Sequence, residues 1–223
     1  MNNYKLPENK VLVLRTCNYD MTSHGGFKWP TSGPVKCDDW INDEWCGNGL
    51  HGFLWGEGNG NLANWDSNAK WLVVEVDEDK IVDLDGKVKF PKGNVIFCGD
   101  QINATNFIAQ HGKGKAIIGH HLTVGHNMTA CVGYHGKATS GNQGTAIAGY
   151  YGKAKAGDCG VAIVGNCGTA MSGTYGTIII EYWDNHTKRF KWKTGCIGEG
   201  GLKPNVFYKL QKWGKGVKFV EVK

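Results

Sequence analysis

Alanine stands at positions 130, 138, 146, 154, 162 and 170, and glycine keeps step at 133, 141, 149, 157, 165 and 173. A second glycine register runs through 136, 144, 152, 160, 168 and 176. Each unit is thus four residues followed by Gly-x-x-Gly, as in Lys137-Ala-Thr-Ser140 before Gly141-Asn-Gln-Gly144. A fixed short period of this kind is the signature of a repeat architecture.

Side chains alternate between the two faces of an extended four-residue segment. One set is small in nearly every unit: Ala138/Ser140, Ala146/Ala148, Ala154/Ala156, Ala162/Val164 and Ala170/Ser172. Small residues throughout fit a flattened interior between two closely spaced sheets, whereas an antiparallel meander gives no reason for them. The spacing therefore predicts a two-sheet octapeptide β-solenoid over residues 113–182, with two octads per 16-residue coil and coils about 4.8 Å apart. The glycines at the strand ends are expected to take the positive φ of sharp corners.

Coil parity sorts the outward residues. One face carries Cys131, Thr145, Ile147, Val161, Ile163, Thr177 and Ile179; the other carries His121, Lys137, Lys153, Lys155, Thr169 and Met171. The apolar face (Ile147, Val161, Ile163 and Ile179) is expected to be covered, by the N-terminal region or by a second copy. Tyr134, His135, Tyr150 and Tyr151 fall on one edge and form a candidate binding strip. The outward threonines raise an ice-binding reading. It is set aside here because lysines interrupt one face and isoleucines the other.

The flanks read differently. Residues 1–112 form a mixed α/β domain, with strands at Val11–Arg15, Trp71–Val76, Lys80–Leu84, Lys87–Phe90 and Val95–Cys98, and a helix near 101–110 capped by Asp100. Residues 183–223 form a β-hairpin cap: one hairpin turns around Asp184-Asn-His186, the other around residues 214–216. The fold class is mainly β. Net charge divides unevenly, −5 over residues 1–110 and +10 over 111–223. Within the first hairpin Lys188, Arg189, Lys191 and Lys193 form a candidate polyanion patch. Period two places Phe190 and Trp192 on the opposite face, where they are expected to close the end of the solenoid. With two arginines among 25 basic residues, any nucleic-acid binding should be weak and nonspecific.

Eight irregularly spaced cysteines do not make a disulfide framework. The pairing of Cys37 and Cys46 with His24 and His51 lacks zinc-ligand spacing, so no metal and no cofactor is expected. Gly56-Glu-Gly58-Asn-Gly60 does not read as a dinucleotide loop. The densest constellation runs from Cys46 to Glu57 and contains His51, Trp55 and Glu57, which with Arg15 could line a binding cleft. The bland reading of that stretch is a glycine-rich loop packed by aromatics. The N-terminus has no apolar signal core, and no stretch suits a membrane span, so a soluble cytoplasmic protein is expected.

The segments Val11–Cys17, Met21–Phe27, Cys46-Gly-Asn-Gly-Leu-His-Gly52 and Trp71–Val76, followed by the glycine–alanine octads, resemble an uncharacterised protein family of phage and bacterial genomes. The resemblance implies a phage-encoded protein, and the favoured expectation is a non-enzymatic binding protein that engages or sequesters a host protein or small ligand in the host cytoplasm. A homo-oligomer through the apolar solenoid face would accompany it. A weaker likeness to ADP-ribosyltransferase folds implies Arg15, His51 and Glu75 as catalytic residues, although the chain has no Ser-Thr-Ser strand and no E-x-E pair. A lysine-rich polyanion-binding module is the third expectation.

Overall fold

The computed structural model describes residues 4–214 and 216–222. They divide into two compact units, residues 1–118 and 119–223. The architecture is mainly β, with one α-helix among the described residues and a solenoid of about four turns. No helix among those residues is long and apolar enough to cross a membrane.

In the first unit the strands are β1 (Lys10–Cys17), β2 (Gly33–Lys36), β3 (Leu50–Leu54), β4 (Lys70–Asp77), β5 (Val82–Asp83), β6 (Val88–Phe90) and β7 (Lys92–Gly99), followed by the helix α1 (Gln101–His111). They form one antiparallel sheet in the order β2-β7-β4-β1-β3-β6-β5. β1 and β4 lie at its centre and pair over eight residues, from Lys10↔Asp77 to Cys17↔Lys70. Their apolar runs are buried on both faces, and α1 packs across β1, β4 and β7 through Ala104 and Ile108. Asp100 caps that helix as expected, accepting the Asn103 amide at 2.9 Å.

Two strands were not expected. β2 lies in the stretch read as polar loop, and β3 lies within the constellation read as a glycine-rich loop. Gly52 conceals β3 from a pattern search, since glycine is depleted in strands. It is required there: a Cβ would meet Val13 Cγ1 at 2.4 Å and the Leu14 carbonyl oxygen at 2.7 Å. The expected strand at 80–84 shortens to Val82–Asp83, because residues 78–80 form a 3-10 turn.

The second unit is the solenoid. β8 (His121–Thr123), β10 (Lys137–Thr139), β12 (Lys153–Lys155) and β14 (Thr169–Met171) stack in parallel on one side. β9 (Thr129–Val132), β11 (Thr145–Ala148), β13 (Val161–Val164) and β15 (Thr177–Asp184) stack on the other. Every step is in register at 16 residues, as in Ala138↔Ala154 and Ala146↔Ala162. The small set fills the interior: Ala130, Ala138, Ala146, Ala154, Ala162 and Ala170 are all buried. Toward the end Ile178 and Ile180 replace it and are joined by Ile197, Leu202 and Tyr208 in the same core. Both parallel ladders then stop. β16 (Arg189–Cys196) pairs antiparallel to β15, and β17 (Tyr208–Trp213) meets β14 antiparallel and pairs with β18 (Gly216–Glu221). Lys215, in the second turn, lies outside the described residues.

Corner geometry departs from expectation. Positive φ falls on His135, Gln143, Tyr151, Cys159, Cys167 and Tyr175, each the residue before the second glycine, and on Asn127, which stands before Met128 at the matching corner, and not on the repeat glycines. The glycines are needed for space. A Cβ on Gly168 would meet Val164 Cγ2 at 2.2 Å and the Gly152 carbonyl at 2.8 Å, and one on Gly149 would meet the Gly133 carbonyl carbon at 2.8 Å. Successive coils simply lie too close for a side chain.

The aromatics of the first hairpin are also placed differently. Phe190 and Trp192 do not close the core; they are 50% and 53% exposed. The pairings Trp183↔Phe190 and Glu181↔Trp192 carry β15 and β16 beyond the last coil, so these rings share the outward face. Closure comes instead from Ile197, Leu202 and Tyr208.

Candidate functional site

The outward face of β9, β11, β13, β15 and β16 is built from two straight columns. In-register pairing aligns Thr129, Thr145, Val161 and Thr177 in one, and Cys131, Ile147, Ile163 and Ile179 in the other. β16 extends the first with Cys196 and the second with Thr194. Neither column contains a charged residue. Ile147, Val161, Ile163 and Ile179 are half-buried, each screened by its column neighbours, while Thr129, Thr194 and Cys196 are exposed. β-Branched side chains hold a single χ1 readily, so the columns form a stiff surface.

The opposite face is charged. There His121, Lys137, Lys153 and Thr169 align, as do Thr123, Thr139, Lys155 and Met171. The Lys153 ammonium sits 3.9 Å from the centre of the Phe207 ring.

The edges carry ladders of their own. Tyr134 stacks on Tyr150 with ring centroids 5.5 Å apart, and His135 stacks on Tyr151 at 5.0 Å. On the other edge the side chains of His126, Asn142 and Asp158 each accept a backbone amide from the next coil, at 3.0, 3.1 and 2.7 Å. Cys159 and Cys167 lie on opposite edges and are exposed.

In the first unit the candidate residues separate. Arg15 and His51 line one cleft of about 980 Å³ with Cys46 and Lys87. Arg15 Nη1 donates to the His51 carbonyl at 3.2 Å, and the guanidinium lies 5.4 Å from the centre of the Trp29 ring. Burial, reinforced by the charges of Lys87, Arg15 and Lys89, lowers the His51 pKa to about 4. Burial pushes the Cys17 thiol up to about 11. Glu75 is not brought to this cleft: it pairs across the sheet with Leu12 and accepts the Tyr4 hydroxyl at 2.8 Å. Glu57 accepts the amides of Lys115 and Ala116, and Trp55 packs near the Lys113 ammonium. Gly56-Glu-Gly58 does follow a strand, β3, but leads into a three-residue 3-10 turn and not an α-helix. No cluster suited to a metal occurs among the described residues.

The lysine-rich hairpin is partly neutralised. Lys191 pairs with Asp184, whose carboxyl that contact holds well below the usual range, and Lys193 lies 5.6 Å from the centre of the Phe219 ring. Lys188 and Arg189 are exposed at the turn.

Comparison with known proteins gives two likenesses. Residues 11–110 match a family model described as a domain of unknown function (DUF7666). The chain is 40% identical over 108 residues to the ice nucleation protein InaU of Pantoea ananas, 48% of this chain and 10% of that protein. It is 42% identical over 103 residues to an ice nucleation protein of Pseudomonas syringae, 45% of this chain and 9% of that protein. A third, from Xanthomonas campestris pv. translucens, is 41% identical over 102 residues, 45% of this chain and 6% of that protein. The chain therefore spans about a tenth or less of the curated relatives it matches. No solved structure matches.

These likenesses overturn the expected function in all three forms: a sequestering binder of a host component, an ADP-ribosyltransferase, and a polyanion-binding module. They overturn the cytoplasmic location as well, which was expected from the absence of an apolar signal core and of a membrane span, whereas the relatives are named for nucleating ice. The phage or viral origin has no support among them. What they support is an uncharacterised, repeat-containing kind of protein.

Proposed function

We propose that the solenoid orders water on the two uncharged side-chain columns of β9, β11, β13, β15 and β16 and so promotes ice formation. The observation that carries this reading is the register. Strands paired at 16-residue steps repeat like side chains every ~4.8 Å along two parallel lines. A threonine hydroxyl both donates to and accepts from water. The neighbouring isoleucine column holds no water strongly, which leaves the hydroxyl-bound layer free to adopt the spacing of the protein beneath it. The lysine face suits this poorly, since an ammonium keeps a strong hydration shell on a flexible stem. The likeness to ice nucleation proteins over nearly half the chain supports the same reading.

The isoleucines were read as interruptions of a threonine array. Aligned in register they interrupt nothing, because they form a column of their own beside it.

Droplet freezing tests the proposal. Droplets containing the full chain should freeze at a higher temperature than buffer alone. Thr145→Lys and Ile147→Lys should abolish the difference with the circular dichroism spectrum unchanged, and Lys137→Ala on the opposite face should leave it intact. Wild-type droplets freezing with buffer, or equal loss from either face, would refute the assignment. If the same columns instead pair two copies of the chain, the wild type will run as a dimer that Ile147→Lys dissociates.

A further inference from the structure

We infer that the cleft of the first unit, lined by Arg15, His51, Cys46 and Lys87, binds a small organic anion bearing a carboxylate or phosphate group. This stands independently of the ice-ordering face.

Arg15 and Lys87 are both half-buried, and among the described residues neither forms an ion pair. Cations withdrawn from water are ordinarily paired. In this cleft the two cations are the partly buried charges, while the carboxylates that also line it, Asp38 and Asp39, are exposed. By contrast the fully buried Lys89 is satisfied, by Asp43 and by the Trp45 carbonyl at 2.9 Å. Arg15 Nε is moreover buried with no hydrogen-bond partner. A buried donor left unsatisfied calls for a further acceptor beside it.

The guanidinium is also held in place. Nη1 is fixed on the His51 carbonyl and its plane lies near Trp29. A planar donor fork positioned in advance suits a carboxylate or phosphate better than any other ligand group. Lys87 Nζ lies 2.9 Å from Cys46 Sγ, a weak acceptor that an anionic oxygen would displace.

Volume excludes the smallest ions as the sole occupant. About 980 Å³ is the upper end of the range for organic ligands, and Asn18 and Asn64 line the same space with amides. Asp38 and Asp39 also line it, but both are exposed, so solvent screens them from the bound charge. Gly25, Gly26 and Gly47 bound the cleft at φ between 75° and 115° with open space at the Cβ position, so they serve backbone conformation there.

Calorimetry with citrate, glucose 6-phosphate and glucose at constant ionic strength tests the inference. Citrate or glucose 6-phosphate should bind saturably, one per chain, and glucose should not; which of the two binds separates carboxylate from phosphate. Lys87→Gln should weaken binding at least tenfold, and Arg15→Gln should do so at an unchanged circular dichroism spectrum. Lys153→Gln, on the solenoid, should have no effect. Absence of saturable binding by both anions overturns the inference. Binding that survives in the Arg15→Gln/Lys87→Gln double variant, or that is lost in Lys153→Gln, does so as well. Lys87→Gln, on a half-exposed side chain, keeps the test open should Arg15→Gln fail to fold.

Discussion

The Asn142 side-chain oxygen accepts the backbone amide of Asp158, sixteen residues on, at 3.1 Å. The same bond recurs one coil earlier from His126 to Asn142 and one coil later from Asp158 to Thr174. Parallel strands bond through their sheets, whereas these contacts tie successive coils at the edge. An exposed bond of this type contributes about 0.5–1.5 kcal/mol. Asn142→Ala should therefore lower the melting temperature by a few degrees, while Gly157→Ala should lower it much more. A Cβ at Gly157 would meet Asn142 Oδ1 at 2.4 Å and the Asn142 backbone nitrogen at 2.7 Å, so it breaks the same bond and forces the coils apart. Thermal unfolding followed by circular dichroism ranks them; Gly157→Ala equal to or milder than Asn142→Ala contradicts this packing.

The solenoid was legible in the sequence because one steric requirement repeats. Each coil needs small residues inside and no Cβ at two points, and alanine and glycine answer at fixed intervals. Its corners were not legible in the same way. Positive φ falls on residues as unlike as Cys159 and Tyr151, at 53° and 55°, and no residue preference marks them. Glycine was read through its conformational freedom when its lack of a side chain was the operative property. The first unit shows the converse problem. Val11–Arg15 and Trp71–Val76 announce themselves by composition, but β3 reads Leu-His-Gly-Phe-Leu and is a strand because Val13 and Leu14 leave no room beside Gly52. The cleft could be anticipated only in part. Arg15 and His51 meet in it, but Lys87 comes from the turn before β6 and Glu75 points elsewhere, and both facts depend on sheet order.

His51 should make stability depend on pH. Its pKa lies at about 4 in the folded chain against 6.5 when unperturbed, mainly through burial and then through Lys87, Arg15 and Lys89. Above pH 6.5 both folded and unfolded forms are neutral at this position, so it adds no pH dependence. As pH falls from 6.5 toward 4 the unfolded chain takes up the proton and the folded chain does not, which lowers stability across that window. His51→Gln removes this contribution while other groups titrate in both proteins. The melting temperature of the wild type should therefore fall more than that of the variant between pH 7.5 and 4.5. Parallel curves for the two proteins would show that His51 is not withdrawn from water.

Two buried serines in the solenoid interior make opposite predictions. Ser140 and Ser172 occupy the small inner register that Ala156 fills in the coil between them, and both are buried. The Ser172 hydroxyl donates to the Gly160 carbonyl at 2.9 Å. The Ser140 hydroxyl has no partner. A buried hydroxyl without a hydrogen bond destabilises by about 1–3 kcal/mol, whereas one that is paired contributes about 1 kcal/mol. Ser140→Ala leaves almost the same volume and should raise the melting temperature. Ser172→Ala strips the Gly160 carbonyl of a donor and should lower it. Glycine at position 176 sharpens the contrast, since a Cβ there would come within 2.0 Å of Ser172 Oγ and 2.8 Å of the Gly160 carbonyl. The Ser172 hydroxyl thus sits in a slot shaped around it, and Ser140 sits where alanine serves in the next coil. Melting curves of the two variants measured side by side decide the matter: a shift of the same sign in both would mean that the hydroxyls share one environment.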